Sequence, residues 1–258
     1  MINTQTKLLR YAVPGAGLLG LILRTLLYAT GIDQKGLIVS NHWATWSIFV
    51  ITGLTLILLL ITFRKQDGPT DYADCFPSSA FQGATSLLVA VVIALRTLSR
   101  YTSADDSLEL LASVFGVITG IAMVVVGICR FTGKRPIFLC HSALCLFFAL
   151  QMVSQYRHWS ADPQLMNYAF YLLAFVCLML TSYFLAGFDT DMGNRRALWF
   201  FSTAASYFCL LALPESGDTG LLVACGLWAF FCVPQCQVKL RRNRPAMTLD
   251  EEIEDEHS

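Results

Sequence analysis

Apolar and polar positions along this chain fall in blocks rather than alternating residue by residue. The apolar blocks are about twenty residues long, which is the length that a helix needs to cross ~30 Å of hydrocarbon. Short segments between them hold most of the charged residues. The pattern predicts eight membrane-spanning helices, at about 10–30, 44–63, 82–101, 107–129, 137–156, 165–188, 197–213 and 219–236.

Composition strengthens this interpretation. Hydrophobic residues make up 55% of the 258 residues and charged residues 14%, against roughly 25% charged in soluble domains. The fold class is therefore all-α, a polytopic transmembrane bundle that occupies residues 1–238 as one domain. We expect residues 239–258 to be a disordered cytoplasmic tail, first basic and then acidic. The formal net charge of zero gives no indication of a nucleic-acid partner.

The basic residues predict the orientation in the bilayer. Thirteen of the eighteen lie in one set of loops and termini and three in the opposite set, while Arg24 and Arg96 fall inside spans. Cytoplasmic loops carry the excess of lysine and arginine, so both termini are expected in the cytoplasm. An even number of spans agrees with that orientation.

The outer helix ends resemble one another and indicate an internal repeat. Arg24-Thr-Leu-Leu-Tyr28 corresponds to Arg96-Thr-Leu-Ser-Arg-Tyr101 and to Gln151-Met-Val-Ser-Gln-Tyr156, and an aspartate follows each. The chain would then consist of four parallel helical hairpins, the fourth diverged. The alternative is that short Leu, Val and Thr strings recur by chance in an apolar sequence.

Charged residues inside spans are the candidate functional residues, because ionisable groups are costly in hydrocarbon. Arg24 and Arg96 lie one to two turns inside the outer boundary, and Glu109 is placed to pair with Arg96 or Arg100. One interpretation is a polar outer vestibule that admits an anionic solute, formed by Arg24, Arg96, Arg100, Glu109, Gln151 and Gln155. The sequence favours the other interpretation, that both arginines extend along their helices to the lipid interface.

Three other motifs give weaker indications. Gly15-Ala-Gly17-Leu-Leu-Gly20 matches a dinucleotide fingerprint but has no strand before it, so with Gly116 and Gly120 it indicates close helix packing. Asp189 and Asp191 could hold Mg²⁺ against a lipid diphosphate, but no further carboxylate is near. The spacing of His141 and its neighbouring cysteines matches no zinc pattern. We therefore expect no catalytic, cofactor-binding or metal-binding residues, and an enzyme is not favoured.

One segment carries a resemblance. Gly31-Ile-Asp33-Gln-Lys-Gly36-Leu, followed by His42-Trp-Ala-Thr-Trp46, resembles an outer hairpin loop of polytopic bacterial membrane proteins that have no assigned activity. The resemblance covers about residues 24–64. It implies an outward-facing loop and a multi-pass protein of the bacterial plasma membrane, and it implies no chemistry.

For function, the sequence favours a permease or channel-like protein for a small solute. The outer arginines and the repeat motivate this, since transporter sites often lie between repeats. The alternative is a membrane-embedded sensor or assembly partner, acting with another membrane protein or as a homo-oligomer, because ionisable groups are scarce at mid-span. A second alternative, a lipid-active enzyme, depends on Asp189 and Asp191 alone. The partner common to all three is the lipid bilayer.

Overall fold

A computed structural model describes residues 4–31, 42–64, 71–101, 107–159, 168–215 and 217–234. Regular structure within these ranges is helical, as the sequence predicts. The helices are α1 Thr4–Thr30, α2 Trp43–Phe63, α3 Tyr72–Cys75, α4 Ala80–Tyr101, α5 Ser107–Thr132, α6 Phe138–Trp159, α7 Ala169–Asp189, α8 Arg195–Ala212 and α9 Thr219–Phe231. All except the one-turn helix α3 correspond to a predicted span, which confirms an all-α bundle.

Six of the described helices are long and apolar enough to cross a bilayer: α1, α2, α4, α5, α6 and α7. Helix α9 has 13 residues, and at 1.5 Å per residue it covers only about 20 Å. Helix α8 begins with two arginines, and 13 of its 18 residues are buried by other parts of the protein. The chain is thus an integral membrane protein by its apolar helices, whereas eight spans and their orientation stay predictions.

The helices from α4 to α9 form a closed ring. Each contacts the next in sequence, and α9 returns to contact α4. Helices α1 and α2 pack outside this ring, where both contact α8. The pairs α1–α2, α4–α5, α6–α7 and α8–α9 are each in contact, as hairpins require, while a repeat relationship among the hairpins stays a prediction.

Large apolar side chains fill the middle of the bundle. Leu144, Phe148, Phe175, Leu178 and Trp228 are each at most 1% exposed. The rings of Phe148 and Phe175 meet edge to face with their centroids 5.9 Å apart. Because interiors pack as densely as organic crystals, this layer separates the two ends of the bundle.

Several glycines allow close helix approach, as the sequence predicts. A methyl group on Gly17 or Gly20 of α1 would press on Leu210 or Leu211 of α8, and one on Gly116 of α5 would overlap Thr97 of α4. Gly15 has open space beside it, so it is not part of this packing.

Candidate functional site

Polar side chains gather at both ends of the ring. At one end the last turns of α4 and α6 meet the first turns of α7 and α9, and the sequence predicts that this end faces outward. We call this the Asp218 end, and we call the opposite end the Asp189 end. The Asp218 end carries a cluster, hereafter the Asp218 cluster, that consists of Arg96, Arg100, Gln151, Tyr171 and Asp218.

Asp218 is the centre of this cluster. Its Oδ2 atom forms an ion pair with Arg96 Nη2 and lies 3.4 Å from Arg100 Nη2. The Tyr171 hydroxyl donates to the same oxygen at 3.2 Å, and Arg100 Nη1 donates to Gln151 Oε1 at 3.4 Å. Asp218 is also the N-cap residue of α9, where the helix dipole favours a negative charge.

The Asp218 cluster carries one positive charge in excess, since two arginines share one carboxylate. The Arg96 side chain is 8% exposed, and its Nε and Nη1 atoms have no hydrogen-bond partner among the described residues. Arg100 is more open, at 29%. A buried charged donor without a partner is costly, so the cluster is suited to receive an anion.

Arg24 lies apart from this cluster, although the sequence places it in the same vestibule. It is 3% exposed, its Nη1 donates to the carbonyl of Leu211 at 2.8 Å, and its guanidinium lies 4.5 Å from the ring centroid of Phe170. The carbonyls at a helix C-terminus need outside donors. Arg24 therefore joins α1 to the end of α8, and neither Arg24 nor Arg96 extends to the surface.

The other two predicted vestibule residues do not belong to the Asp218 cluster. Glu109 of α5 and Gln155 of α6 are half-buried. Arg96 forms its ion pair with Asp218 rather than with Glu109, because α4 packs against α9 as well as against α5. Of the six predicted residues, the structure brings Arg96, Arg100 and Gln151 together.

Sequence reasoning missed Asp218 and Tyr171. Asp218 stands in a short polar segment directly before the last apolar block, where a carboxylate reads as an ordinary solvated loop charge. Its position one residue before a helix is the signal that could have identified it as a cap. Tyr171 gives no such signal, since tyrosine near a span boundary is typical of any membrane helix.

At the Asp189 end, two motifs that the sequence treats separately meet. His141 Nδ1 and Asp189 Oδ2 are 2.5 Å apart, and both side chains are fully buried. Asp191 instead accepts from Arg135 Nη1 at 2.7 Å and from the backbone N–H of Tyr72 at 3.3 Å. Across the residues that the structure describes, no three His, Cys, Asp or Glu side chains are grouped to hold a metal ion. Asp189 and Asp191 therefore make separate contacts in the described structure, one with His141 and the other with Arg135.

Comparison with known proteins identifies no relative. No protein-family model matches this chain, and no curated protein or solved structure matches it either. The resemblance to bacterial membrane proteins stays a prediction, because residues 32–41, which hold much of it, lie outside the described residues. The predicted tail at 239–258 lies outside them as well.

Proposed function

We propose that this integral membrane protein is a permease or channel-like protein for a small monovalent anion, which binds at the Asp218 cluster. The observation that carries the proposal is the buried guanidinium of Arg96. One of its nitrogens pairs with Asp218, and two others have no partner among the described residues. Six apolar helices around and beside this site are consistent with such a role.

The charge of the cluster favours a monovalent anion. Within the cluster Arg96 and Arg100 carry two positive charges and Asp218 one negative charge, and the N–H groups left for a ligand are Nε and Nη1 of Arg96. At an effective dielectric constant of about 20, two unit charges ~4 Å apart attract each other by about 4 kcal/mol. A neutral solute would leave that attraction unused, and a divalent anion would have only half of its charge matched.

The hydrogen bonds of the cluster hold Arg96 ready for the ligand. Asp218 fixes one edge of the guanidinium, and Tyr171 and Arg100 fix Asp218 in turn. The free N–H groups of Nε and Nη1 lie on different sides of the guanidinium, and each can donate to a carboxylate or a halide. Arg100 and Asp218 are partly exposed, so an anion would first meet Arg100 and then move to Arg96.

The apolar layer of Phe148, Phe175 and Leu144 lies beyond the cluster. Permeation therefore needs a second conformation, in which helices of the ring move apart. Packed helices shift relative to one another by small sliding or hinge motions in many switching proteins. We propose that the described structure is the closed conformation.

The test is anion flux into proteoliposomes that contain the purified full-length protein. Chloride entry is followed with an entrapped chloride-sensitive dye, and lactate entry with radiolabel. Arg96→Gln removes the excess charge and is expected to reduce flux by at least about tenfold. Arg157→Gln removes an exposed arginine at the same end of the bundle and is expected to leave flux unchanged.

Two outcomes would count against the permease. Flux of neither anion above that of empty vesicles would contradict it and favour the sensor or assembly partner. An equal loss in Arg96→Gln and Arg157→Gln would show that the anion responds to surface charge and not to the Asp218 cluster.

A further inference from the structure

The Asp189 end of the ring holds a second buried arginine. Arg130 is near the C-terminus of α5 and is 2% exposed. Neither Nη1 nor Nη2 has a hydrogen-bond partner among the described residues. Its guanidinium carbon lies 4.2 Å from the ring centroid of Phe76 and 5.0 Å from that of Tyr72. The aromatic rings thus cover the guanidinium, while its terminal nitrogens stay unpaired.

Residues 71–79, hereafter the cover segment, close this end of the ring. The Tyr72 hydroxyl donates to the carbonyl of Lys134 at 3.4 Å, and the Ser79 N–H donates to the carbonyl of Arg130 at 3.1 Å. The ring of Phe76 meets that of Phe188 edge to face at 5.4 Å. Burial raises the pKa of Tyr72 to about 12, against the lowering effect of Arg130, so the hydroxyl stays protonated and remains a donor.

The charge of Arg130 is not used by the neighbouring acid. Asp189 makes its close contact with His141, and the other Asp189 oxygen, Oδ1, has no partner among the described residues. Asp189 is the last residue of α7, and among the described residues no ion pair joins it to Arg130. Both terminal nitrogens of Arg130 therefore stay open to another acceptor.

We propose that Arg130 is a second site for a small monovalent anion, occluded beneath the cover segment. The geometry fits, because aromatic rings attract the face of a guanidinium while its in-plane N–H groups bind anions. Each end of the ring would then hold a buried arginine whose unpaired N–H groups can bind the same ligand. The inference rests on the proposed function, since it makes Arg130 the second station of the same anion.

Alkylation of the native cysteine Cys75 measures how often the cover segment opens. It lies in the cover segment and is 0% exposed, so a thiol reagent reaches it only when the segment lifts. The detergent-purified full-length protein is treated with N-ethylmaleimide, and peptide mass spectrometry measures the alkylated fraction of Cys75 over time. An anion that binds beneath the closed segment lowers the open fraction, by about tenfold at ten times its Kd.

The expected result is slower alkylation of Cys75 in chloride or lactate than in the bulky sulfonate MES at equal ionic strength. Arg130→Gln is expected to raise the rate about tenfold, because the contacts with Tyr72 and Phe76 lose their cation, and to abolish the anion effect. Arg196→Gln removes an exposed arginine at the same end, and this variant should retain the anion effect. Arg130→Lys keeps the positive charge, and this variant should retain part of the anion effect.

Several results would overturn the inference. They are a Cys75 rate that chloride and lactate do not change, an anion effect that survives in Arg130→Gln, and an anion effect that Arg196→Gln removes. If Arg130→Gln does not fold, wild type and Arg130→Lys decide: the inference fails if the lysine variant matches wild type in MES but shows no anion effect. If the anion slows alkylation of Cys75 but no flux is measured, the permease proposal fails and the Arg130 site stands. If flux depends on Arg96 but the anion does not slow alkylation of Cys75, the Arg130 site fails and the permease proposal stands.

Discussion

His141 and Asp189 face each other across the contact between α6 and α7, with Nδ1 and Oδ2 2.5 Å apart and both side chains fully buried. His141 lies in the first turn of α6 and Asp189 is the last residue of α7. A short hydrogen bond therefore joins the start of α6 to the end of α7. Removing this hydrogen bond should lower the stability of the folded protein more than it changes any transport activity.

Replacing His141 by leucine leaves the Asp189 carboxylate buried without its partner. Breaking one side of a buried pair costs about 3–5 kcal/mol, whereas replacing both members by apolar residues is often neutral. We expect His141→Leu to lower the thermal midpoint of the detergent-purified protein strongly, and His141→Leu with Asp189→Leu to recover most of the loss. Equal destabilisation by the single and double variants would contradict a coupled pair.

Substitutions of Arg24 and of Arg96 should distinguish an effect on stability from an effect on anion flux. Arg24 donates to the Leu211 carbonyl, and a hydrogen bond from a charged donor contributes about 1.5–3 kcal/mol. Arg24→Gln is expected to lower the thermal midpoint and to leave the anion flux of the folded fraction unchanged. Arg96→Gln is expected to lose flux. A loss of flux in Arg24→Gln at full stability would place Arg24 in the anion path, as the vestibule interpretation predicts.

Glycine packing gives a matched pair of variants. A methyl group on Gly116 would overlap Thr97 Oγ1 of the neighbouring helix, whereas one on Gly53 would meet open space. We expect Gly116→Ala to destabilise the purified protein by about 1–3 kcal/mol through overpacking. Gly53→Ala should leave stability unchanged or raise it by up to about 1 kcal/mol. Similar thermal midpoints for the two variants would contradict close α4–α5 packing at Gly116.

The helices could be predicted from sequence because each apolar block must reach across the bilayer, and block length is a local property. Block length does not explain how helix α8 is surrounded. It is buried by protein on most sides, so it needs no continuous apolar surface, and only the three-dimensional ring explains why.

The polar contacts were harder to predict, because they depend on which helices become neighbours. Arg24 and Arg96 occupy equivalent positions in the predicted repeat, yet one contacts the end of α8 and the other the start of α9. His141 and Asp189 each carried a separate metal hypothesis, and the structure joins them as a pair. The closure of α9 onto α4, which places Asp218 beside Arg96, has no signature in the sequence.

Asp218→Asn tests the charge argument most directly. The amide removes the only negative charge of the Asp218 cluster, so both arginines act on the incoming anion. The Asp218 side chain makes no capping hydrogen bond to α9, so the amide should leave the start of this helix unchanged. We expect KM for chloride to fall by at least about tenfold and the maximal flux to fall too, because the anion leaves more slowly. Asp218→Glu keeps the charge and should stay near the wild-type KM. An unchanged or higher KM in Asp218→Asn, measured from the chloride dependence of proteoliposome flux, would mean that Asp218 does not compete with the anion for Arg96.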